Sequence, residues 1–383
     1  VSILDLFAEE PAPFVEMPDG STMHPMPEAE PQFDTITDEE QLERDWGAPP
    51  FSVLRQASGP WQKRKKAWAA LGIESHLGRD QNLLPTGKNS VYSRKFKGYG
   101  NIADAGAAMK AYANGQAWDE GEEAEAGSIA DSTSIFDPAL AELAYSWFCP
   151  RGGMILDPFA GGSVRGIVAG YMGHPYLGVD LRQEQVVENE RQRDRLWQKL
   201  TAVDLAARAR PEPVWLCDDS RLLVHHEPQA ADFVFSCPPY YDLEVYSDDP
   251  DDLSNYPSYE EFLVGYGEAI QAACSWLKPN RFAAFVVGDM RDKKTGLYRG
   301  FVADTVKAFE AAGLGYYNHA IIAGPAASAA LRVGGIFGKG RKLVKTHQDL
   351  VVFVKGDGRA AADQIKPYQR VDLGDQVEQA RLW

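Results

Sequence analysis

Two short stretches combine residue types that could do chemistry. The first is Asp157-Pro158-Phe159-Ala160-Gly161-Gly162-Ser163, directly after the apolar run Met154–Leu156. Small residues at a strand-to-helix turn let the backbone approach a ligand and leave N–H groups pointing outward. Twenty-three residues beyond Asp157 a second apolar run ends at Asp180, with Leu181 beside it. An acid in that place can accept both ribose hydroxyls of a nucleoside. A third run ends in Cys217-Asp218-Asp219-Ser220. There Asp218 or Asp219 could take an adenine amino group. A glycine pair alone is usually only a turn, but three acids at successive strand ends point to a nucleoside cofactor.

The second stretch is Ser236-Cys237-Pro238-Pro239-Tyr240-Tyr241. Two prolines end a strand abruptly and hold the following loop rigid. They offer no local N–H, so carbonyls in the loop are expected to face outward. The tyrosine after them can stack on a planar base. Chemistry on an exocyclic amine needs acceptors for its N–H bonds, a face for the ring, and the base outside its duplex. A Pro-Pro-Tyr loop at the carboxyl edge of a sheet could meet these needs.

Both stretches require a frame that brings strand ends together. Apolar runs occur at Met154–Leu156, Tyr176–Val179, Val214–Leu216, Phe233–Phe235, Phe282–Val287, Tyr317–Ile322 and Leu350–Val354. Helical patterns fall between them at 138–147, 163–171, 183–207, 258–277 and 299–312. Strands alternating with helices predict an α/β fold, a parallel sheet covered on both faces. The last two runs have no helix between them and predict a closing antiparallel pair.

Composition narrows the class. The 383 residues are 44% hydrophobic and 25% charged, ordinary for a globular protein. No run of about 18 apolar residues occurs, so no membrane span is expected. The start VSILDLFAEE shows no secretory pattern. Cys149, Cys217, Cys237 and Cys274 form no CxxC pair, which argues against structural zinc and a disulfide scaffold. His347 and the pair His225-His226 lack partners at metal spacing, and no metal is expected. A reduced, cytoplasmic protein is the simplest reading.

The net charge of -16 is unevenly spread. Residues 1–50 hold 13 Asp/Glu and one Arg, whereas residues 51–110 hold 11 Lys/Arg against 3 acids. Residues 325–347 hold five Lys/Arg and no acid. Residues 1–47 therefore read as an acidic, weakly structured tail, with short helical pieces possible at 1–10 and 37–46. Residues 48–132 read as a basic extension and 357–383 as a C-terminal tail. Trp61 to Leu71 reads as a basic helix ending at Gly72. Lys63, Arg64, Lys65 and Lys66, then Arg94 and Lys95, are candidates for phosphate contact. Arg332, Lys339, Arg341 and Lys342 lie in a long connection between the last two strands, at 325–347, and read as a substrate loop.

Taken together, Asp157 to Gly162 and Cys237 to Tyr240 resemble the DNA amino-methyltransferases, closest to those of phages and prophages. Leu243–Ser254, Gly288–Lys293, Gly340–Gln348 and Pro49–Arg79 resemble that group too, so the likeness covers roughly residues 48–356. The resemblance implies a Rossmann-like, seven-stranded S-adenosylmethionine (AdoMet)-dependent methyltransferase domain at 133–356. It implies methyl transfer from AdoMet to adenine N6 or cytosine N4 of a flipped base, with DNA as partner. It places the methionine moiety near Asp157, Pro158, Phe159, Gly161, Gly162 and Ser163, the ribose on Asp180, and the adenine on Asp218 or Asp219. Phe136-Asp137-Pro138 resembles the additional cofactor motif of these enzymes. Tyr240 would stack the base while the Pro238 carbonyl, with Cys237 or Ser236 and bounded by Pro239, orients its amine.

This chain departs from that pattern twice. Ser163 replaces a glycine, a change that a helix N-cap tolerates. Cys237 stands where Asp, Asn or Ser is usual, and a thiol is a weak acceptor. The target base therefore stays open between cytosine and adenine. A covalent role for Cys237 is disfavoured, because C5-cytosine enzymes place cysteine after a proline. An RNA amino-methyltransferase and a catalytically silent nucleic-acid binder are the alternatives. An NAD-dependent oxidoreductase would need G-x-G-x-x-G spacing, which is lacking.

Overall fold

The computed structural model describes residues 39–73, 136–203, 210–225, 231–243, 245–324, 329, 333–368, 370, 371 and 373. The chain divides into units Val1–Gln41 and Leu42–Trp383. Helix α1 (Glu39–Trp46) crosses that division, and all other described elements belong to the second unit. They run β1 (Val53–Arg55), α2 (Gly59–Ala70), α3 (Pro138–Phe148), β2 (Ile155–Asp157), α4 (Val164–Tyr171), β3 (Tyr176–Asp180), α5 (Gln183–Val203), β4 (Val214–Cys217) and β5 (Ala231–Ser236). Then come α6 (Tyr259–Trp276), β6 (Leu277–Val287), α7 (Phe301–Ala311), β7 (Gly315–Ala323), β8 (His347–Lys355) and α8 (Gly358–Ala362).

The eight strands form one sheet in the order β1-β7-β8-β6-β5-β2-β3-β4. Strand β8 is antiparallel to both neighbours, and the other pairs are parallel. From β2 the chain fills the sheet outward through β3 and β4. It then returns to β5, on the other side of β2, and continues to β6. That reversal opens a crevice at the carboxyl ends of β2 and β5, where open α/β sheets bind ligands. Without β1 the arrangement is the Rossmann-like sheet of AdoMet-dependent methyltransferases, as expected. Strand β1 adds an eighth strand beside β7. It escaped the sequence reading because only Leu54 of its three residues is buried.

Pleating sends alternate side chains to opposite layers. Phe233, Phe235, Phe282, Ala284 and Val286 enter the layer beneath α2, α3 and α4. Val234, Ala283, Phe285 and Val287 enter the layer beneath α6 and α7. Asp232, at the other edge, ties β5 to its neighbours: it accepts from Met154 N at 3.0 Å, Lys278 Nζ at 2.9 Å and Arg281 Nε at 2.9 Å. Burial opposes the Asp232 charge, but those donors outweigh it and hold the carboxyl below its ordinary range. Its stabilisation is therefore present above the unfolded value of about 3.9 and is lost as pH falls through the lower folded value. Thermal melts of Asp232→Asn should show a deficit at pH 7 that shrinks at about pH 3.

The basic segment at 48–71 is not an appendage. Ala48, Leu54, Trp61, Trp68 and Leu71 share the core of the sheet. Helix α2 starts where Ser58 Oγ accepts from Trp61 N at 3.4 Å. Trp68 Nε1 donates to Glu142 Oε2 at 2.6 Å. Arg64 makes two bonds to Glu142, at 2.6 and 2.5 Å, and one to Val371 O at 2.8 Å. Its side chain is 13% exposed and that of Glu142 is 2% exposed. Removing one member of such a pair strands the other, so Arg64→Ala should cost about 3 kcal/mol, read as a lower urea midpoint at unchanged slope.

The C-terminal segment also departs from the expected tail. Residues Ala361 and Leu373 are buried in the same core, and Tyr368 OH reaches Glu142 Oε1 at 3.4 Å. At the other end, the last residues of the acidic segment are helical, and the Trp46 carbonyl accepts from Trp147 Nε1 at 2.8 Å. The helix suggested at 1–10 lies outside the described residues. Among the described residues, no helix is long and apolar enough to cross a membrane.

Candidate active site

A cavity of about 580 Å³ occupies the carboxyl edge of the sheet, within the range of small-molecule sites. Each parallel strand of the central sheet delivers residues to it just past its end. Strand β2 gives Pro158, Phe159 and Gly161; β3 gives Asp180, Leu181 and Arg182; β4 gives Asp218 and Asp219. Strand β5 gives Cys237, Pro238, Pro239 and Tyr240, and β6 gives Gly288, Asp289 and Met290. Lys345, His347 and Gln348 enter from the start of β8, while Gln56, Lys65, Phe136 and Asp137 close the side nearest α2 and α3. The two sequence stretches thus face one space.

The β2 loop is held from below. Asp157 is fully buried and does not line the cavity. Its carboxylate accepts from Arg165 Nε at 2.6 Å, Tyr176 OH at 2.7 Å, Ser236 Oγ at 2.5 Å and Phe159 N at 3.2 Å. Burial first, and the Asp157 charge second, push the Tyr176 phenol well above its ordinary range, so it remains a donor. Asp157 shapes the loop rather than presenting a free carboxylate to a ligand. Ser236 is corrected in the same way: it is fully buried beneath the loop, donating to Asp157 and accepting from Phe159 N at 3.1 Å. As the last residue of β5, it points inward and Cys237 reaches the cavity.

Ser163 is buried, and its hydroxyl donates to Gln192 Oε1 at 2.7 Å instead of capping α4. Gly162 and Pro138 are buried and do not line the cavity, the latter in the first turn of α3. Gly161 has φ 51°, a conformation that favours glycine. Its N–H donates to Asp180 Oδ2 at 2.9 Å and its carbonyl accepts from Asn189 Nδ2 at 2.7 Å. Gly178 in β3 is required by packing, because a Cβ there would sit 2.8 Å from the Cβ of Ala160 in the loop.

Asp180 is half-buried; its Oδ1 accepts from Arg182 N at 2.9 Å. The alternative between Asp218 and Asp219 acquires a geometric difference. Asp219 accepts from Arg221 N at 2.9 Å and Arg221 Nε at 2.7 Å, and Arg221 also binds Asp251 at 2.8 Å. Asp218 Oδ1 accepts from the Asp219 N–H at 2.8 Å.

The Pro-Pro-Tyr loop turns sharply at Tyr241, whose φ is 45°. Pro238 is buried, and Cys237, Pro239 and Tyr240 are half-buried. The Tyr240 ring meets Phe301 edge-on at 5.8 Å, and its hydroxyl accepts from Gln348 Nε2 at 3.0 Å. Burial first, and the neighbouring Cys237 thiol second, push the Tyr240 phenol well above its ordinary range. It therefore stays neutral across the working pH range.

Arg165 is the functional candidate that sequence reasoning missed. It is buried, donates to Asp157, to Phe159 O at 2.6 Å and to Ala160 O at 2.9 Å, and lies 4.7 Å from the Phe136 ring centre. A signal was present: a cation in the first turn of α4 opposes the helix dipole and needs a carboxylate to hold it. Gln348, which fixes Tyr240, carried no such signal.

The expected phosphate contacts fare unevenly. Arg64 is turned inward onto Glu142, and Lys65 lines the cavity 3.4 Å from Asp137 Oδ2. Lys63 and Lys66 are exposed, as are Lys339 and Arg341. Lys342 lies along Gly296, where an added Cβ would collide with its chain. Arg94, Lys95 and Arg332 lie outside the described residues. The connection from Ala323 to His347 leaves and re-enters the sheet at the cavity edge.

No protein-family model matches the sequence, and no curated protein sequence does. Solved structures of similar fold include TrmN from Thermus thermophilus, at 17% identity over 57% of this chain and 49% of that one, TM-score 0.34. A second Thermus thermophilus protein, assigned provisionally as a DNA modification methylase and solved in complex with S-adenosyl-L-methionine, is 20% identical over 37% of this chain and 52% of that one, TM-score 0.28. Magnesium protoporphyrin IX methyltransferase from Synechocystis PCC 6803 is 16% identical over 54% and 71%, TM-score 0.31. The chain spans about half the length of the first two. The strand order is that of the Rossmann-like methyltransferase fold, and the cavity lies at the switch point of its sheet.

Proposed function

We propose that the chain is an AdoMet-dependent DNA amino-methyltransferase acting on cytosine N4 or adenine N6. The observation that carries this is a continuous cavity that joins Gly161, Asp180 and Asp218 to Cys237, Pro238, Pro239 and Tyr240. The lining suits the cofactor: acids at the ends of β3 and β4 match a ribose and an adenine amine, and Gly161, with no Cβ, lets a ligand approach the β2 loop. Phe136 and Asp137 continue the same wall past the β2 loop. When bound, AdoMet supplies an electrophilic sulfonium methyl.

The remaining work falls to the protein. Asp157, Ser236 and Arg165 fix the loop that faces the cofactor. Tyr240, held by Phe301 and Gln348, offers a ring face to an extruded base. The Pro238 carbonyl accepts from the target amine and aims its lone pair. Attack by the amine would form the N–C bond as the S–C bond breaks, leaving S-adenosylhomocysteine and releasing one amine proton to solvent; the displacement is in line, so alignment is the main contribution. Extrusion costs a few kcal/mol, and stacking of about 1–3 kcal/mol per base can offset it. Cations on the exposed face of α2 and in the β7–β8 connection would hold the DNA backbone.

The test is transfer of labelled methyl from AdoMet to unmethylated duplex DNA, single-stranded DNA and RNA in parallel. The proposal expects label on DNA. Label on RNA alone, or on neither, would overturn it. Salt should matter as well: if Lys339 and Arg341 contact phosphates, replacing both with alanine should flatten the salt dependence of DNA binding by about two counterions.

A further inference from the structure

We propose that Lys65, carried on α2 ahead of the methyltransferase domain, binds the carboxylate of the cofactor's methionyl end. This rests on the AdoMet reading above. The direction of the cofactor follows from the sheet. Moving from β2 to β3 to β4 meets the loop, the ribose acid and the adenine acids in turn. The methionyl end must then point the other way from Gly161, toward Phe136 and Asp137. At that end the cavity wall is Gln56, Lys65, Phe136, Asp137, Leu140 and Arg165.

A methionyl group carries an ammonium and a carboxylate together. Asp137 is a suitable partner for the first. It is 8% exposed, with Oδ1 bound by Ala139 N at 3.0 Å and Oδ2 by Trp61 Nε1 at 3.1 Å and Gln56 Nε2 at 3.3 Å. The carboxylate needs a cation. Arg165 is committed to Asp157 and two loop carbonyls. Arg221 is committed to Asp219, Asp251 and Tyr256, at the adenine end. Lys345 approaches Asp289 O at 3.5 Å and Asp349 at 3.6 Å, on the β6 and β8 side, and Arg182 follows the ribose acid at the end of β3, away from Asp137 in the sheet order. Lys65 is the cation beside Asp137: its ammonium sits 3.4 Å from Oδ2 and its side chain is 44% exposed. Opening that pair to a zwitterion gives an alternating set of four charges, each beside its opposite.

The position of Lys65 is also fixed by the fold. Trp61 and Trp68 are buried on α2, and Arg64 is clamped to Glu142. These anchors turn the neighbouring Lys65 toward the cavity and leave Lys63 and Lys66 in water. The basic run thus serves more than one end: one cation holds the helix, one faces the cofactor, and two face solvent.

Calorimetry with two ligands tests this. S-adenosylhomocysteine carries the same amino-acid zwitterion as AdoMet, and 5′-methylthioadenosine lacks it. Lys65→Met should weaken S-adenosylhomocysteine about tenfold, the size of one charge-assisted hydrogen bond, and leave methylthioadenosine unchanged. Lys65→Arg should recover most of the loss. Equal affinity of Lys65→Met and wild type for S-adenosylhomocysteine would overturn the proposal. So would an equal loss for both ligands, which marks a structural effect. A wild-type protein that binds neither ligand would overturn the cofactor reading and this proposal with it.

Discussion

Tyr240→Ala should lower methyl transfer roughly 5- to 150-fold, the rate equivalent of about 1–3 kcal/mol of base stacking. AdoMet affinity should stay within about twofold, because the tyrosine lies beyond the β5 end while the acids proposed to hold the cofactor follow β3 and β4. Tyr240→Phe separates ring from hydroxyl. It keeps the stacking face and the edge contact with Phe301 but loses the bond from Gln348 Nε2. Its activity should fall between the two. Single-turnover rates on a duplex substrate would show the order. An alanine variant as active as wild type would remove Tyr240 from the site.

The second large effect belongs to Asp180. In the proposed reading its carboxylate accepts two ribose hydroxyls, while Oδ2 also holds the Gly161 N–H and Oδ1 the Arg182 N–H, each at 2.9 Å. Two hydrogen bonds to a charged group, at about 1.5 kcal/mol or more each, predict that Asp180→Ala weakens AdoMet about 100-fold or more. Asp180→Asn keeps the shape and loses the charge, so it should fall between. Asp219→Asn should act differently. It loosens Arg221 and with it the segment around Asp251 and Tyr256, so thermal stability should fall along with affinity. Calorimetry and melting curves on the three variants separate these outcomes. An Asp180→Ala protein that binds AdoMet normally would place the ribose elsewhere.

The fold was legible because its signals are periodic. Apolar runs separated by helical spans marked seven strands, and the absence of a helix between β7 and β8 marked the antiparallel close. Strand β1 was not legible, since one buried leucine between two exposed residues carries no period. The glycine turn, the strand-end acids and the Pro-Pro-Tyr loop each have a local reason in the sequence, and the structure brings Gly161, Asp180, Asp218 and Tyr240 to one cavity. What could not be read was which side chains are consumed by one another. Asp157 and Ser236 look like ligand contacts in sequence, yet they bond each other under the loop. Arg64 and Lys65 look like two cations of one patch, yet one meets Glu142 and the other lines the cavity. The pairings Asp157–Ser236, Arg64–Glu142 and Lys65–Asp137 each span more than 70 residues of chain, which no local pattern encodes.

The most direct measurement is the identity of the methylated base. The purified protein would be incubated with labelled AdoMet and unmethylated phage DNA, the DNA digested to nucleosides, and the labelled nucleoside identified by mass spectrometry. The account predicts N4-methylcytosine or N6-methyladenine. A label on cytosine C5 would contradict it and make Cys237 a nucleophile. No label on DNA would contradict it as well, and would leave the cavity without the substrate assigned to it.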